Sequence, residues 1–291
     1  MLYFIVNPLS GGNQGIHTAE KIKAVEKFLQ EKGVEFKIFC TEYKGHAKKM
    51  TEELTLQGNN DIVVMGGDGT LHEVINGFKN FETCNLGLIP SGTGNDFATC
   101  LGLTENVEQC LDIILNTKPK FTDFMQLPSV RCINVAGMGI DVEVLKRYEA
   151  LKKKTKAGYA KCLIKTLFTY KCEEFSIKLN QTENTLSSFI ACAANGTMFG
   201  GGMRICPTAC VSDGEANFVA VKKMCKLRLP KALSMLNKGT ILNHTNVIHE
   251  KANKIIIECN VPHTINCDGE LYDNEPFEIE VITNKLKMYR P

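Results

Sequence analysis

The sequence predicts an α/β protein of two domains: a Rossmann-like parallel α/β domain over 1–125 and a strand-rich, antiparallel domain over 126–291. Three observations lead there. Strand and helix patterns alternate through the first 120 residues, the signature of a parallel sheet covered by helices. Three of those strands run straight into polar, glycine-rich turns. After Phe121 the texture changes, and strand patterns follow one another with few long helices between them.

The apolar run Leu2–Val6 reads as a first strand and not as a signal peptide, because no basic region precedes it and the chain turns polar after Val6. Residues 18–31 carry Ile22, Val25, Phe28 and Leu29 at helical spacing, and Gly33 stops the helix. Phe36–Cys40 is a second strand, and a second helix enters near Gly45 and runs through residue 57. The buried strand 61–65 leads into Gly66–Gly67–Asp68–Gly69–Thr70, with a helix expected over 71–78 and a strand over 86–89. In the second domain strands are expected at 130–136, 175–179, 187–194, 216–221, 254–259 and 277–282, with helices over about 141–170 and 230–237. The boundary falls near 120–128, and the last residues are candidates to return to the first domain.

Composition narrows the function classes. A chain of 291 residues with 44% hydrophobic content can build two sizeable cores. A net charge of +2 is not that of a strong nucleic-acid binder. No stretch approaches the roughly 18–20 apolar residues that span a bilayer. The thirteen cysteines are odd in number, form no CxxC pair, and often sit in apolar context, as Cys132, Cys192 and Cys259 do. They read as reduced, buried thiols of a cytoplasmic protein, and the histidines are not clustered with them as a zinc site would need.

The turn after the 61–65 strand carries the sharpest chemistry. Glycines there let the backbone approach a ligand, consecutive N–H groups make an anion nest, and the following helix adds its positive end. Asp68 is placed to hold a cation bridging phosphates, and Thr70 to cap the helix or bond a nucleotide. Residues 87–103 repeat the arrangement: Ser91, Gly92, Thr93 and Gly94 offer hydroxyls and amides, and Asn95 and Asp96 open the next helix. Asp96 reads as an N-cap or, with Asp68, as a phosphate and metal ligand. The third turn, residues 7–15, lacks the GKS or GKT ending of a Walker A loop, and the first strand lacks the G-x-G-x-x-G fingerprint. Three such turns would lie on one rim of the sheet, an expected place for a nucleotide.

Elsewhere the residues leave alternatives open. Asp123, between Phe121 and Phe124, is either a cap or a member of an acidic metal network. Asp213–Gly214 reads as a turn, and an oxygen-rich turn can also hold a hard cation. Asp268–Gly269 is a hairpin turn or, with Glu270, the carboxylate that receives an alcohol proton. The lysines and arginine at 146, 147, 152, 153, 154, 156, 161, 165 and 171 are a solvated helix face or an attraction to an anionic membrane.

Taken together, NPLSGG (7–12), GHA (45–47), GGDGTLHEVING (66–77), GLIPSGTGNDFA (87–98), NVAGMGID (134–141), the glycines, proline and DG of 195–214, and DGE (268–270) resemble the bacterial diacylglycerol kinase and YegS-like lipid kinase family. GGDGT alone is shared with NAD kinases; the combination spans nearly the whole chain and is far more specific. The resemblance implies an ATP-binding N-terminal domain, a C-terminal β-sandwich, and an active site in the cleft between them. It implies an ATP- and Mg²⁺-dependent kinase of diacylglycerol, a sphingoid base or another lipid alcohol presented at a membrane surface. It leaves room for a homodimer. Asn7, Thr41, Gly66, Gly67, Gly69, Thr70, Ser91, Gly92, Thr93, Gly94 and Asn95 would then meet the nucleotide, and Asp68, Asp96 and Asp123 would organise magnesium. Asp268 would be the base, with Glu270 beside it. Cys210, Asp213 and Glu215 would hold a structural metal, Asp213 through its side chain and the others through carbonyls. The chain departs from the family pattern at Glu215–Ala216, where apolar residues are usual.

Overall fold

The computed structural model describes residues 1–11, 16–58, 60–151, 155–180, 182–259 and 262–291. It divides into two compact units, Met1–Asp123 with Thr283–Pro291, and Phe124–Ile282.

In unit 1 the strands β1 (Leu2–Val6), β2 (Phe36–Cys40), β3 (Asp61–Gly66), β4 (Asn85–Pro90) and β5 (Lys120–Phe121) alternate with α1 (Ile16–Glu31), α2 (His46–Gln57), α3 (Asp68–Gly77), α4 (Asp96–Cys100) and α5 (Val107–Asn116). The sheet order is β2-β1-β3-β4, then the chain's last strand Lys287–Met288, then β5. β1 to β4 are mutually parallel; Lys287–Met288 runs parallel to β4 and antiparallel to β5. The strands are continuous apolar runs because both faces are covered. Val25 and Leu29 of α1 and Val107, Leu111 and Ile114 of α5 share one core with Phe4, Val63 and Ile89 of the sheet. Since β1, β3 and β4 are neighbours and run the same way, the turns that follow them lie side by side at the carboxyl edge.

Among the described residues, unit 2 is one antiparallel hydrogen-bonded sheet with three α-helices. Its elements are β6 (Phe124–Gln126), β7 (Arg131–Cys132), β8 (Val135–Gly139), α6 (Ile140–Glu149), α7 (Lys156–Thr169), β9 (Glu173–Leu179), β10 (Thr182–Ala194), β11 (Ala216–Lys222), α8 (Leu229–Lys238), β12 (Val247–Ala252), β13 (Lys254–Glu258), β14 (Thr264–Cys267), β15 (Glu270–Asp273) and β16 (Phe277–Ile282). The order is β15-β14-β8-β10-β9-β13-β16-β6-β7, with β11 and β12 added beside β10. β10 serves both parts of the sheet: its first half pairs with β9 and its second with β8 and β11, with an irregularity between Ser188 and Ile190. Phe175, Phe218, Ile265 and Phe277 from distant strands bury together in one core. A second core lies under α6, α7 and α8.

Several expected elements are corrected. The helix after Gly67 starts at Asp68, not at residue 71, because extended Gly67 already accepts from the N–H groups of Thr70 and Leu71. The strand expected over 130–136 is two, since Ile133 and Asn134 turn their N–H groups to a side chain. The helix expected over 141–170 is also two, the second opened by Thr155, whose side chain accepts from Gly158 N–H. β12 had no expected counterpart. Lys152, Lys153 and Lys154 lie outside the described residues, and only the backbone of Lys156 is within them.

Candidate active site

The rim of unit 1 is assembled by hydrogen bonds between turns far apart in sequence. The turn after β1 is described through Gly11; residues 12–15 lie outside the described residues. Asn7 folds that turn back by accepting from Leu9 N–H at 3.0 Å, and its Nδ2 donates to Thr70 Oγ1 at 3.2 Å. Ser10 and Ser91 join their hydroxyls at 2.5 Å. Ser91 N–H donates to the Gly66 carbonyl at 2.9 Å, continuing the β3–β4 ladder into the turn.

The glycines follow from how closely these backbones pass. A methyl on Gly67 would sit 2.9 Å from the Gly92 Cα, and one on Gly66 would sit 2.6 Å from Thr70 Oγ1. The loop 91–95 is closed by Asn95, which stands at φ 57°, accepts from Gly92 N–H at 2.8 Å and returns its Nδ2 to the Gly92 carbonyl at 2.9 Å. Asparagine is among the few residues that tolerate this left-handed conformation. Thr93 and Gly94 are exposed at the tip, where a hydroxyl and amides can meet a ligand. Gly69 lies in the first turn of α3 beside Thr70, which is buried. Thr41 follows β2, with its N–H on the Val6 carbonyl at 2.8 Å.

Asp68 stands in the first turn of α3, and its two carboxylate oxygens accept from the N–H groups of Asp96 and Phe97, each at 3.3 Å. It therefore caps α4 while keeping Asp96 beside it. Asp96 and Asp123 are buried. Among the described residues no three histidine, cysteine or carboxylate side chains gather into a group that could hold a metal. Asp68 with Asp96 still fits magnesium, which takes one or two carboxylates and completes its shell with water and phosphate oxygens.

Two residues that the sequence did not single out shape the rim. Lys21 of α1 donates to the Pro90 carbonyl at 2.7 Å, placing a cation beside the 91–95 loop. Burial lowers its pKa, partly offset by Glu105. Glu73 of α3 accepts from Gly45 N–H at 2.8 Å and Ala47 N–H at 3.1 Å, capping α2. A signal for Glu73 was available, as it lies within the same motif as Asp68 and α2 opens with no capping side chain of its own.

In unit 2, Asp268 occupies the tight turn between β14 and β15 at φ 56°. Its carboxylate reaches the loop between β7 and β8. Oδ2 accepts from Ile133 N–H at 2.9 Å, and Oδ1 from Asn134 N–H at 2.8 Å and Val135 N–H at 3.3 Å. The Cys132 thiol also donates to Oδ1, at 3.0 Å. Asn195 pins the loop by donating to the Ile133 carbonyl at 2.7 Å. Asp268 and Glu270 are both half-buried, and Glu270 opens β15 across from Cys267.

The stretch expected to hold a structural metal is organised around a lysine. Lys251 Nζ pairs with Asp213 Oδ2 at 2.5 Å and lies 3.7 Å from Glu215 Oε2. Its ammonium supplies a positive charge at the carboxylate expected to bind the cation. The Cys210 thiol is exposed, 3.8 Å from Ser212 Oγ.

Unit 1 thus carries interlocked polar turns on one edge of its sheet, and unit 2 anchors an aspartate on main-chain N–H groups. Residues 1–127 match the diacylglycerol kinase catalytic domain, and residues 134–290 match the YegS C-terminal NAD kinase beta sandwich-like domain. The diacylglycerol kinase of Bacillus subtilis (strain 168) is 30% identical over 99% of this chain and 95% of its own length. A protein of Salmonella gallinarum named "Probable lipid kinase YegS" is 27% identical over 99% of this chain and 95% of its own. A crystal structure of a diacylglycerol kinase from Bacillus anthracis str. Sterne has the same fold, with a TM-score of 0.74 at 21% identity, covering 100% of this chain and 96% of that one. The chain belongs to the diacylglycerol kinase catalytic domain and YegS lipid kinase family. Among the described residues no helix is long and apolar enough to cross a membrane.

Proposed function

We propose that this protein transfers the γ-phosphoryl group of ATP to the hydroxyl of a membrane lipid, with diacylglycerol as acceptor and phosphatidic acid as product. The observation that carries the lipid reading is an apolar cavity in unit 2, lined by Leu163, Leu167, Phe189, Phe199, Leu229 and Leu236. Such a lining suits an acyl chain.

The division of labour follows from each unit's chemistry. In unit 1 the amides and hydroxyls of the 66–70 and 91–95 turns cradle the phosphates, Thr93 and Asn7 orient the nucleotide, and Lys21 adds positive charge at the edge. Asp68 and Asp96 would hold magnesium, which would supply positive charge to offset that of the phosphates. In unit 2 Asp268 receives the acceptor hydroxyl and takes its proton as the bond to phosphorus forms. Its N–H donors favour the ionised carboxylate, so its strength lies in orientation, the property a loose phosphoryl-transfer transition state most requires. Glu270 stands beside it.

A second acceptor class has an observation in its favour. Asp141 lines the cavity and is buried, and its Oδ1 has no hydrogen-bond partner among the described residues. A carboxylate in an apolar cavity suits an amino alcohol such as a sphingoid base. The test is incubation with labelled ATP, Mg²⁺ and mixed micelles of diacylglycerol, a sphingoid base and phosphatidylglycerol, with NAD as soluble control. Labelled phosphatidic acid is the expected product, and labelled NADP would overturn the lipid reading. Asp268→Ala is expected to abolish turnover while ATP binding persists. Equal loss of both would make Asp268 a structural turn. A thermal melt belongs with this variant, since three main-chain N–H groups lose their acceptor.

A further inference from the structure

Of the four donors described on Asp268, three are main-chain groups and one is a side chain, the thiol of Cys132. The thiol comes from the end of β7, the amides from the two loop residues that follow and the first residue of β8, and three of the four converge on Oδ1. The carboxylate plane is thereby fixed from two directions.

We propose that Cys132 is a positioning residue for Asp268, its S–H···O bond holding the carboxylate in the orientation that receives the acceptor hydroxyl. The inference rests on the reading of Asp268 as the acceptor's proton partner. Cys132 is fully buried, as is its neighbour Cys267. Burial, with Cys267 and the Asp268 carboxylate close by, pushes the Cys132 thiol well above its ordinary pKa. The shift favours the protonated sulfur, the form that donates to Asp268 Oδ1. The same burial argues against a redox role, because reactive cysteines are low-pKa and accessible. A serine would keep a donor at this position; alanine and valine would not.

The experiment compares Cys132→Ala, Cys132→Val and Cys132→Ser with the wild-type enzyme, in kcat, KM for ATP and the pH profile of kcat, with circular dichroism as the folding control. The alanine and valine variants are expected to lose about tenfold in kcat with KM for ATP unchanged, the scale of one hydrogen bond to a charged group. Their acid limb should move to higher pH, since a carboxylate that loses a donor is less stable as the anion. Serine should restore kcat to within about threefold and return the limb. Valine fills the space that alanine vacates, so a loss shared by both and rescued by serine reports the donor and not the packing. Wild-type kcat and pH profile in the alanine and valine variants would overturn the proposal, as would a serine variant no better than alanine. If Asp268→Ala itself retains turnover, the acceptor-base reading fails and this inference falls with it. If Asp268→Ala is inactive while the valine variant is unimpaired, only the role of Cys132 is lost.

Discussion

Replacing Asp141 with asparagine should stabilise the protein, and only above mildly acidic pH. Burial raises the Asp141 carboxyl from 3.8 to about 6, outweighing the bond from Asn266 and the N–H of Val142. The folded chain thus holds this proton more tightly than the unfolded chain does. Asp141's share of stability is fully present below about pH 4 and is lost as the pH rises through about 6. From pH 7 upward the ionised group costs the fold about 3 kcal/mol, from a rise of about two pKa units at 1.36 kcal/mol each. Asparagine is neutral and nearly the same shape, and its oxygen can still accept from Asn266 Nδ2, which now lies 3.1 Å from Asp141 Oδ2. At about 2–4 °C per kcal/mol for a unit of this size, Asp141→Asn should melt roughly 6–12 °C above wild type at pH 7.5 and level with it at pH 4. The chain has no tryptophan, so circular dichroism is the suitable probe. An advantage that is absent, or the same at every pH, would show that the carboxylate is solvated and refute the reasoning. A group retained at such a cost invites a functional reason, and the same variant should raise the acceptor KM if Asp141 bonds the lipid headgroup.

Two further outcomes follow from the geometry. Gly92→Ala drives a methyl into the Gly67 backbone, which cannot swing aside as a side chain would, and to 2.8 Å from Asn95 Oδ1, the atom that closes the loop, so ATP affinity measured by a fluorescent analogue should fall at least about tenfold while unit 2 melts as before. On the outer side of α7, Ile164 and Phe168 are half exposed, Leu227 is 89% exposed, and Lys226 donates to the Phe168 carbonyl at 2.6 Å. With Lys161, Lys165, Lys171 and Arg228 nearby in the chain, this face should bind anionic vesicles, weakening with salt, and Leu227→Glu should reduce binding about tenfold; binding that is indifferent to both would make the face merely solvated.

What was legible in the sequence divides along physical lines. The unit 1 elements were, because a parallel sheet covered on both faces writes its strands as apolar runs and its turns as glycines. β1 and β2 fall where the pattern puts them, and the helix after Gly45 begins at His46. Glycines 67 and 92 are forced by the close passage of each other's backbone, and Gly66 by the Thr70 side chain of its own turn. The partners in that passage were not legible. That Ser10 meets Ser91, or that Glu73 caps α2, depends on strand order, which local pattern does not encode. The second role of Asp68 was hidden for the same reason: its oxygens accept from the N–H groups of α4, which reach it only through the neighbouring strand.

Unit 2 makes the sharper point. Asp268–Gly269 read equally as a hairpin turn and as a base, and in the fold the turn is real: Asp268 is left-handed, and Gly269 N–H donates to Asn266 Oδ1 at 2.9 Å. The two readings are compatible because the turn aims the carboxylate at the break between β7 and β8. That break was itself misread as one strand over 130–136. A strand spends its N–H groups on neighbouring strands; here those of Ile133, Asn134 and Val135 go to one side chain some 130 residues later. A carboxylate that gathers three main-chain donors cannot rotate freely, and replacing any one residue of the loop leaves its amide in place. Sequence variation can therefore tune this carboxylate only through the side chains beside it, which makes position 132 the most direct place to look for such tuning.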